Sequence, residues 1–260
     1  MKYCISGRQP ISTLHKADEI KMIYNDIERI IDYIVAFPDK TIIIDIPKNL
    51  LAVDWELLVK YSQSIDLILC LHDLSLVDEC KKHGLKFYWA YPITTYYELQ
   101  GILKLEPCYL FLGAPLCFDL ARVRGICATE IRLVPNVAFD TYIPREDGVC
   151  GQWIRPEDVK HYETYVSALE FTGVDLAAER TLLDIYKNDQ TWPGNLSHII
   201  RNLRCDVSNL ALPEDIGKIR MTCGQRCMCN NTCHYCYTSV KYADTLHALY
   251  LKRREQKGEN

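Results

Sequence analysis

Long hydrophobic runs are missing from this chain of 260 residues. Nothing approaches the roughly 20 consecutive apolar residues that span a bilayer, so no membrane-crossing segment is expected. The opening decapeptide, MKYCISGRQP, has no apolar stretch before its polar residues and does not read as a signal peptide. A cytoplasmic location is the expectation. An excess of one charge is missing too. The formal net charge is −4, which indicates no global pull toward nucleic acid or anionic membrane. There is no repeat of fixed period and no low-complexity tract. No phosphate-binding glycine loop, Ser/His/Asp order or paired helical metal motif has convincing spacing. The terminal run KRREQKGEN reads as a frayed helix end and a solvated tail.

What is present is ordinary globular composition, 48% hydrophobic and 25% charged. The length suits one large α/β domain or two small ones. Eight short, β-branched or apolar runs read as strands: 2–6, 41–46, 67–72, 86–91, 109–113, 130–134, 168–172 and 218–222. Runs such as TIIIDI and YLFLG are nearly continuous in apolar character, which suits parallel strands covered on both faces. Helical patterns lie between them, at 54–62, 74–83, 94–105, 116–124 and 175–186. Residues 17–36 also read as a helix, because Ile20, Ile23, Ile27, Ile30, Ile31 and Ile34 recur at three- and four-residue steps. Arg155-Pro156-Glu157-Asp158 reads as a helix start. The alternation predicts a (β/α)8 TIM-type barrel, with an open doubly wound sheet as the competitor. The expected division is a barrel over 1–222, a Cys-rich metal-binding loop over 223–238, and a helix and tail over 239–260.

Cysteine is abundant, with 13 residues. Eight are scattered, and five crowd together as Cys223, Cys227, Cys229, Cys233 and Cys236. A tight thiol cluster in a reducing compartment reads as metal binding. Thiolates at these spacings suit zinc or an iron–sulfur cluster. A zinc reading pairs Cys223 and Cys227 with Cys233 and Cys236. An iron–sulfur (4Fe–4S) reading uses Cys229, Cys233 and Cys236 with one further cysteine, for which Cys150 is a candidate. A strand ending at residue 222 would place the cluster on the catalytic face of a barrel.

Other candidate residues sit at strand ends: Arg8, Asp45, His72, Asp73, Tyr91, Asn136 and Glu170. Asp45 and Glu170 interrupt apolar runs, so each buried carboxylate must find a partner. Both are candidate acid–base groups, with a structural hydrogen-bonding role as the alternative.

Two resemblances follow from these motifs. CNNTCHYC, residues 229–236, resembles the radical S-adenosylmethionine signature C-x3-C-x-aromatic-C, with Tyr235 in the aromatic place. Because the segment lies near the C-terminal end, that resemblance implies a permuted enzyme with a 4Fe–4S cluster. The element order, ALEFTG at 168–173 and Gly148-Val149-Cys150-Gly151-Gln152 are similar to the collagenase-like peptidase family. That resemblance implies an iron–sulfur barrel of redox or group-modification chemistry, as in tRNA and ubiquinone hydroxylation, with roles for Glu170 and Cys150. A non-catalytic barrel pinned by structural zinc, serving binding or assembly, is the alternative. The substrate stays open, as does a protein partner or homo-oligomer.

Overall fold

The computed structural model describes residues 1–25, 30–48, 50, 52–113, 116–136, 153–172, 175–188, 190–201 and 212. Eight parallel strands close into a barrel in the order β1 to β8. They are β1 (Lys2–Ser6), β2 (Glu19–Ile23), β3 (Thr41–Ile46), β4 (Asp66–Leu71), β5 (Lys86–Trp89), β6 (Tyr109–Phe111), β7 (Glu130–Leu133) and β8 (Ala168–Glu170). Helices fill the connections: α1 (Ile11–Leu14), α2 (Ile30–Ala36), α3 (Trp55–Ser62), α4 (Val77–Lys82), α5 (Tyr96–Leu103), α6 (Leu120–Ile126), α7 (Val159–Tyr162) and α8 (Leu176–Lys187). The expected TIM-type barrel is therefore the fold, and the open sheet is not.

Period-two alternation divides each strand between two environments. On β3, Ile42, Ile44 and Ile46 pack outward with Leu67, Leu69 and Leu71 of β4 into the layer beneath the helices. Ile43, Ile68, Cys70, Tyr88, Tyr109 and Ala168 form a second, smaller apolar set that points into the barrel. Local capping sets the helix starts. Asp54 and Asp175 accept from the backbone N–H groups of Leu57 and Ala178, and Thr95 with Glu98 makes a complete capping box on α5. Gly113 follows β6 where a Cβ would lie 2.8 Å from the Pro92 side chain, so glycine admits the close approach of the next segment.

The strand count corrects the sequence reading in two places. Residues 19–23 form β2, although they lie in the stretch read as a helix over 17–36. Their Ile20 and Ile23 fit a helical stripe, but Glu19 and Lys21 alternate with Ile20 and Met22 at strand period, and pairing to β1 and β3 decides the outcome. Because β2 enters the count, β8 is Ala168–Glu170 and pairs directly with β1. The run 218–222 is not the closing strand and lies outside the described residues. So do the helix at 239–260 and the expected boundaries at 222 and 238.

Candidate active site

Toward the C-terminal end of β1 the inward groups are small, Cys4 and Ser6, while Lys2 at its start reaches Tyr109 and Glu19. The strands on either side of β1 carry long charged ones: Cys4 pairs with both Glu19 and Glu170, and Ser6 pairs with Lys21. The side chains of β2 and β8 therefore meet across β1. Lys21 Nζ donates to Glu170 Oε1 at 2.8 Å and lies 3.6 Å from Asp45 Oδ2. The other oxygen of Asp45 is 2.6 Å from His72 Nε2. Tyr88 Oη donates to Glu170 Oε2 at 3.1 Å, and Arg132 Nη1 reaches the same oxygen at 3.3 Å.

Below this cluster Arg132 is fully buried. It pairs with Glu19 as well as Glu170. Its guanidinium lies over the rings of Tyr88 and Tyr109, 5.0 and 4.5 Å from their centroids, where cation–π attraction compensates part of the lost hydration. Tyr109 Oη donates to Glu19 Oε1 at 2.9 Å.

The electrostatics follow from burial and from these pairings. Burial by itself raises the pKa of Glu170, but Lys21 and Arg132 override it and hold the carboxyl down at about 2. Burial by itself lowers the pKa of Lys21, but the Glu170 carboxylate outweighs it and keeps the amine an ammonium well into the alkaline range. Glu179 on α8 goes the other way. Burial raises its pKa, although Gln9 and the Ser6 N–H donate to it. Burial also pushes the Cys70 thiol up to about 12, so Cys70 is a thiol at neutral pH.

A cavity of about 500 Å³ opens over this cluster. Its lining includes Ser6, Arg8, Lys21, Asp45, Glu170, Asp175 and Glu179. Ser6 and Glu170 end their strands, Asp45 is next to last in its own and Lys21 is central in β2, so the cavity opens at the C-terminal face, on which barrels of this class carry their chemistry.

The two carboxylates singled out from sequence, Asp45 and Glu170, are thus brought together on one ammonium. Arg8 stands at the cavity, His72 joins through Asp45, and Tyr91 packs edge-on to His72 with centroids 5.3 Å apart. Two other candidates have structural contacts. Asp73 caps the turn at Leu74–Leu76 by accepting from Ser75 N. Asn136 bonds the Thr172 backbone in both directions, tying the segments after β7 and β8. Lys21, Tyr88, Arg132 and Glu179 were not among the residues selected. A signal existed for Lys21 and Arg132, because a lone cation in a short apolar strand needs an anionic partner. Cys223, Cys227, Cys229, Cys233, Cys236 and Cys150 lie outside the described residues. No described helix is long and apolar enough to cross a membrane.

No protein-family model matches the chain, and no curated protein matches it. Among solved structures it is similar to a thiamine phosphate pyrophosphorylase from Pyrococcus furiosus, at 12% identity and a TM-score of 0.43 over 72% of this chain and 93% of that one. A native KDPGal structure is similar at 10% identity and a TM-score of 0.46, over 72% and 92%. A 4-hydroxy-2-oxoglutarate/2-dehydro-3-deoxyphosphogluconate aldolase is similar at 12% identity and a TM-score of 0.44, over 73% and 94%. None of these three is a collagenase-like peptidase or a radical S-adenosylmethionine enzyme, and at such identities they speak to no activity. Both resemblances drawn from sequence are corrected accordingly. With them go the iron–sulfur redox function, the zinc-pinned barrel and the permuted radical enzyme. The physical reason lies in the strand count and the partners of Glu170. The cysteine cluster does not come directly after the closing strand, which ends at Glu170, and Glu170 is committed to Lys21, Arg132 and Tyr88.

Proposed function

We propose that this chain is an enzyme that binds a small, oxygen-rich molecule at the C-terminal mouth of the barrel and moves a proton on it. The observation that carries the reading is a split between two carboxyls lining one cavity. Glu170 is held strongly ionised, while Glu179 is shifted toward neutrality. Opposed shifts in neighbouring acids are what acid–base chemistry at neutral pH requires. Glu170 keeps Lys21 cationic, and Lys21 donates to a carbonyl oxygen as negative charge grows there. Glu179 takes the proton from the adjacent carbon and returns it. Arg8, exposed at the lip, offers a cation to an acidic end of the substrate.

The test is exchange of carbon-bound protons with D2O, followed by NMR across a panel of small 2-oxo acids, hydroxyaldehydes and hydroxyketones. We expect at least one compound to exchange. Lys21→Met should slow it by about 10²–10³-fold, and Glu179→Gln by about 10²-fold or more. The rate should rise with pH through the elevated Glu179 pKa, because the base is the ionised form. A panel with no exchange, or exchange unaltered in both variants, overturns the proposal.

A further inference from the structure

Beside the cavity, three donor atoms of different chemistry converge without a role in the proton transfer above. Asp45 of β3 and Cys70 of β4 are register partners. His72 follows Cys70 by two residues, so it leaves the chain on the same face. The ligand atoms of Asp45, Cys70 and His72 all lie within 4.8 Å of one another. We propose that Asp45, Cys70 and His72 form a mononuclear binding site for a divalent transition metal of the zinc class.

The donor set carries the choice of ion. One sulfur, one imidazole nitrogen and one carboxylate oxygen is a borderline-soft mixture that suits Zn²⁺ or Co²⁺ and does not suit Mg²⁺ or Ca²⁺, which take oxygen. Metal–ligand bonds of about 2.0–2.3 Å in a tetrahedron put donor atoms roughly 3.3–3.8 Å apart. Since no two donors are more than 4.8 Å apart, the closing needed is at most about 1 Å, and the 2.6 Å contact between His72 and Asp45 must open to admit the ion.

Charge also balances. Asp45 and a Cys70 thiolate neutralise a divalent ion. The nearest cation, Lys21, is compensated by Glu170 at 2.8 Å, and it faces Asp45 Oδ2 rather than the Oδ1 that turns to His72. Access is graded: Cys70 is buried, whereas the side chains of His72 and Asp45 are 28% and 25% exposed. An ion held by three protein ligands keeps a fourth position for water or a substrate oxygen. Tyr91, packed edge-on against the His72 ring, fixes its plane. The site shares no residue with the cysteines at 223–236. It does not depend on the acid–base reading, since its readout is metal binding and not turnover.

The experiment is a titration of the full chain, stripped of metal under reducing conditions, with Zn²⁺ and with Co²⁺. Wild type is compared with Cys70→Ser, His72→Gln, Asp45→Asn and a variant in which all five cysteines at 223–236 are serine. Each of the three single variants should lose one equivalent of metal, with that site's affinity weakened by more than ~100-fold. The five-serine variant should keep that equivalent. With Co²⁺ it should show a sulfur-to-metal charge-transfer band that adding Cys70→Ser to the five-serine variant abolishes. His72→Gln changes a partly exposed side chain and so guards against misfolding, which circular dichroism checks. Equal stoichiometry and spectra in wild type and the three single variants, or no bound metal in the five-serine variant, overturns the proposal.

Discussion

The same eight strands face two unlike interiors. Outward, toward the helices, they present Ile and Leu with Phe87, Met22 and Tyr3 in one continuous apolar layer. Inward, where barrels of this architecture are usually filled by branched aliphatics, the middle layers hold Glu19, Lys21, Arg132 and Glu170, wrapped by Tyr88 and Tyr109. The outer layer is cohesive and undirected. Hydrophobic burial there scales with area, and any side chain of similar shape serves. The inner set is directed. Each charge is tolerable only because a particular opposite charge or hydroxyl reaches it, so loss of one member strands the others. The first layer supplies the apolar burial, whereas the second holds mutually dependent charges fixed where a substrate can meet them.

The largest effect that should expose this contrast comes from Arg132→Met. It removes the cation shared by Glu19 and Glu170 while keeping apolar bulk. We expect a loss on the order of 3–5 kcal/mol, measured by urea unfolding at neutral pH. Leu69→Ala, in the outer layer, should cost about 2–5 kcal/mol by opening a cavity. Its penalty should be the same at pH 3 and pH 7, whereas that of Arg132→Met should shrink in acid as the stranded carboxyls protonate. An Arg132→Met protein as stable as wild type would show that the inner charges are not coupled.

Acid titration sharpens the comparison further. Glu170 is lowered from 4.5 to about 2. Between those values the unfolded chain binds the proton and the folded chain does not, so the contribution is present above pH 4.5 and fades as pH falls toward 2. Its size is on the order of 3 kcal/mol at about 1.4 kcal/mol per pH unit. Glu170→Gln should flatten that part of the pH–stability curve, and an unchanged slope would refute the pairing with Lys21 and Arg132. The smallest effect lies outside both layers. Thr95→Ala removes half of the α5 capping box and should cost about 1 kcal/mol, read as a small fall in Tm with no dependence on acid.

Much of the barrel was legible in the sequence. TIIIDI at Thr41–Ile46 is short and dense in β-branched residues, which favours a covered strand, and its bounds agree with β3. The helix expected over 175–186 agrees with α8, and the structure shows Asp175 as its cap. β2 was hidden because EIKMI is short and its isoleucines also satisfy a helical period. For runs this brief, periodicity alone cannot choose between strand and helix. That one miss displaced the strand count and, with it, the argument that put the cysteine cluster on the catalytic face. Asp45 and Glu170 stood out because a carboxylate inside an apolar run demands a partner. The identity of that partner, Lys21, was out of reach while its segment read as a helix.

The chain by itself determined the class of fold, because strand-like and helical runs alternate along it and each run carries its own local preference. Only the closed tertiary structure decided which charges meet. Lys21 and Glu170 are 149 residues apart in sequence, and they become neighbours because β8 returns to β1 and β1 places nothing larger than Cys4 and Ser6 between them. Local propensity acts over a few residues. The contacts that make a site from Lys21, Asp45 and Glu170 exist only once the last strand has closed the ring.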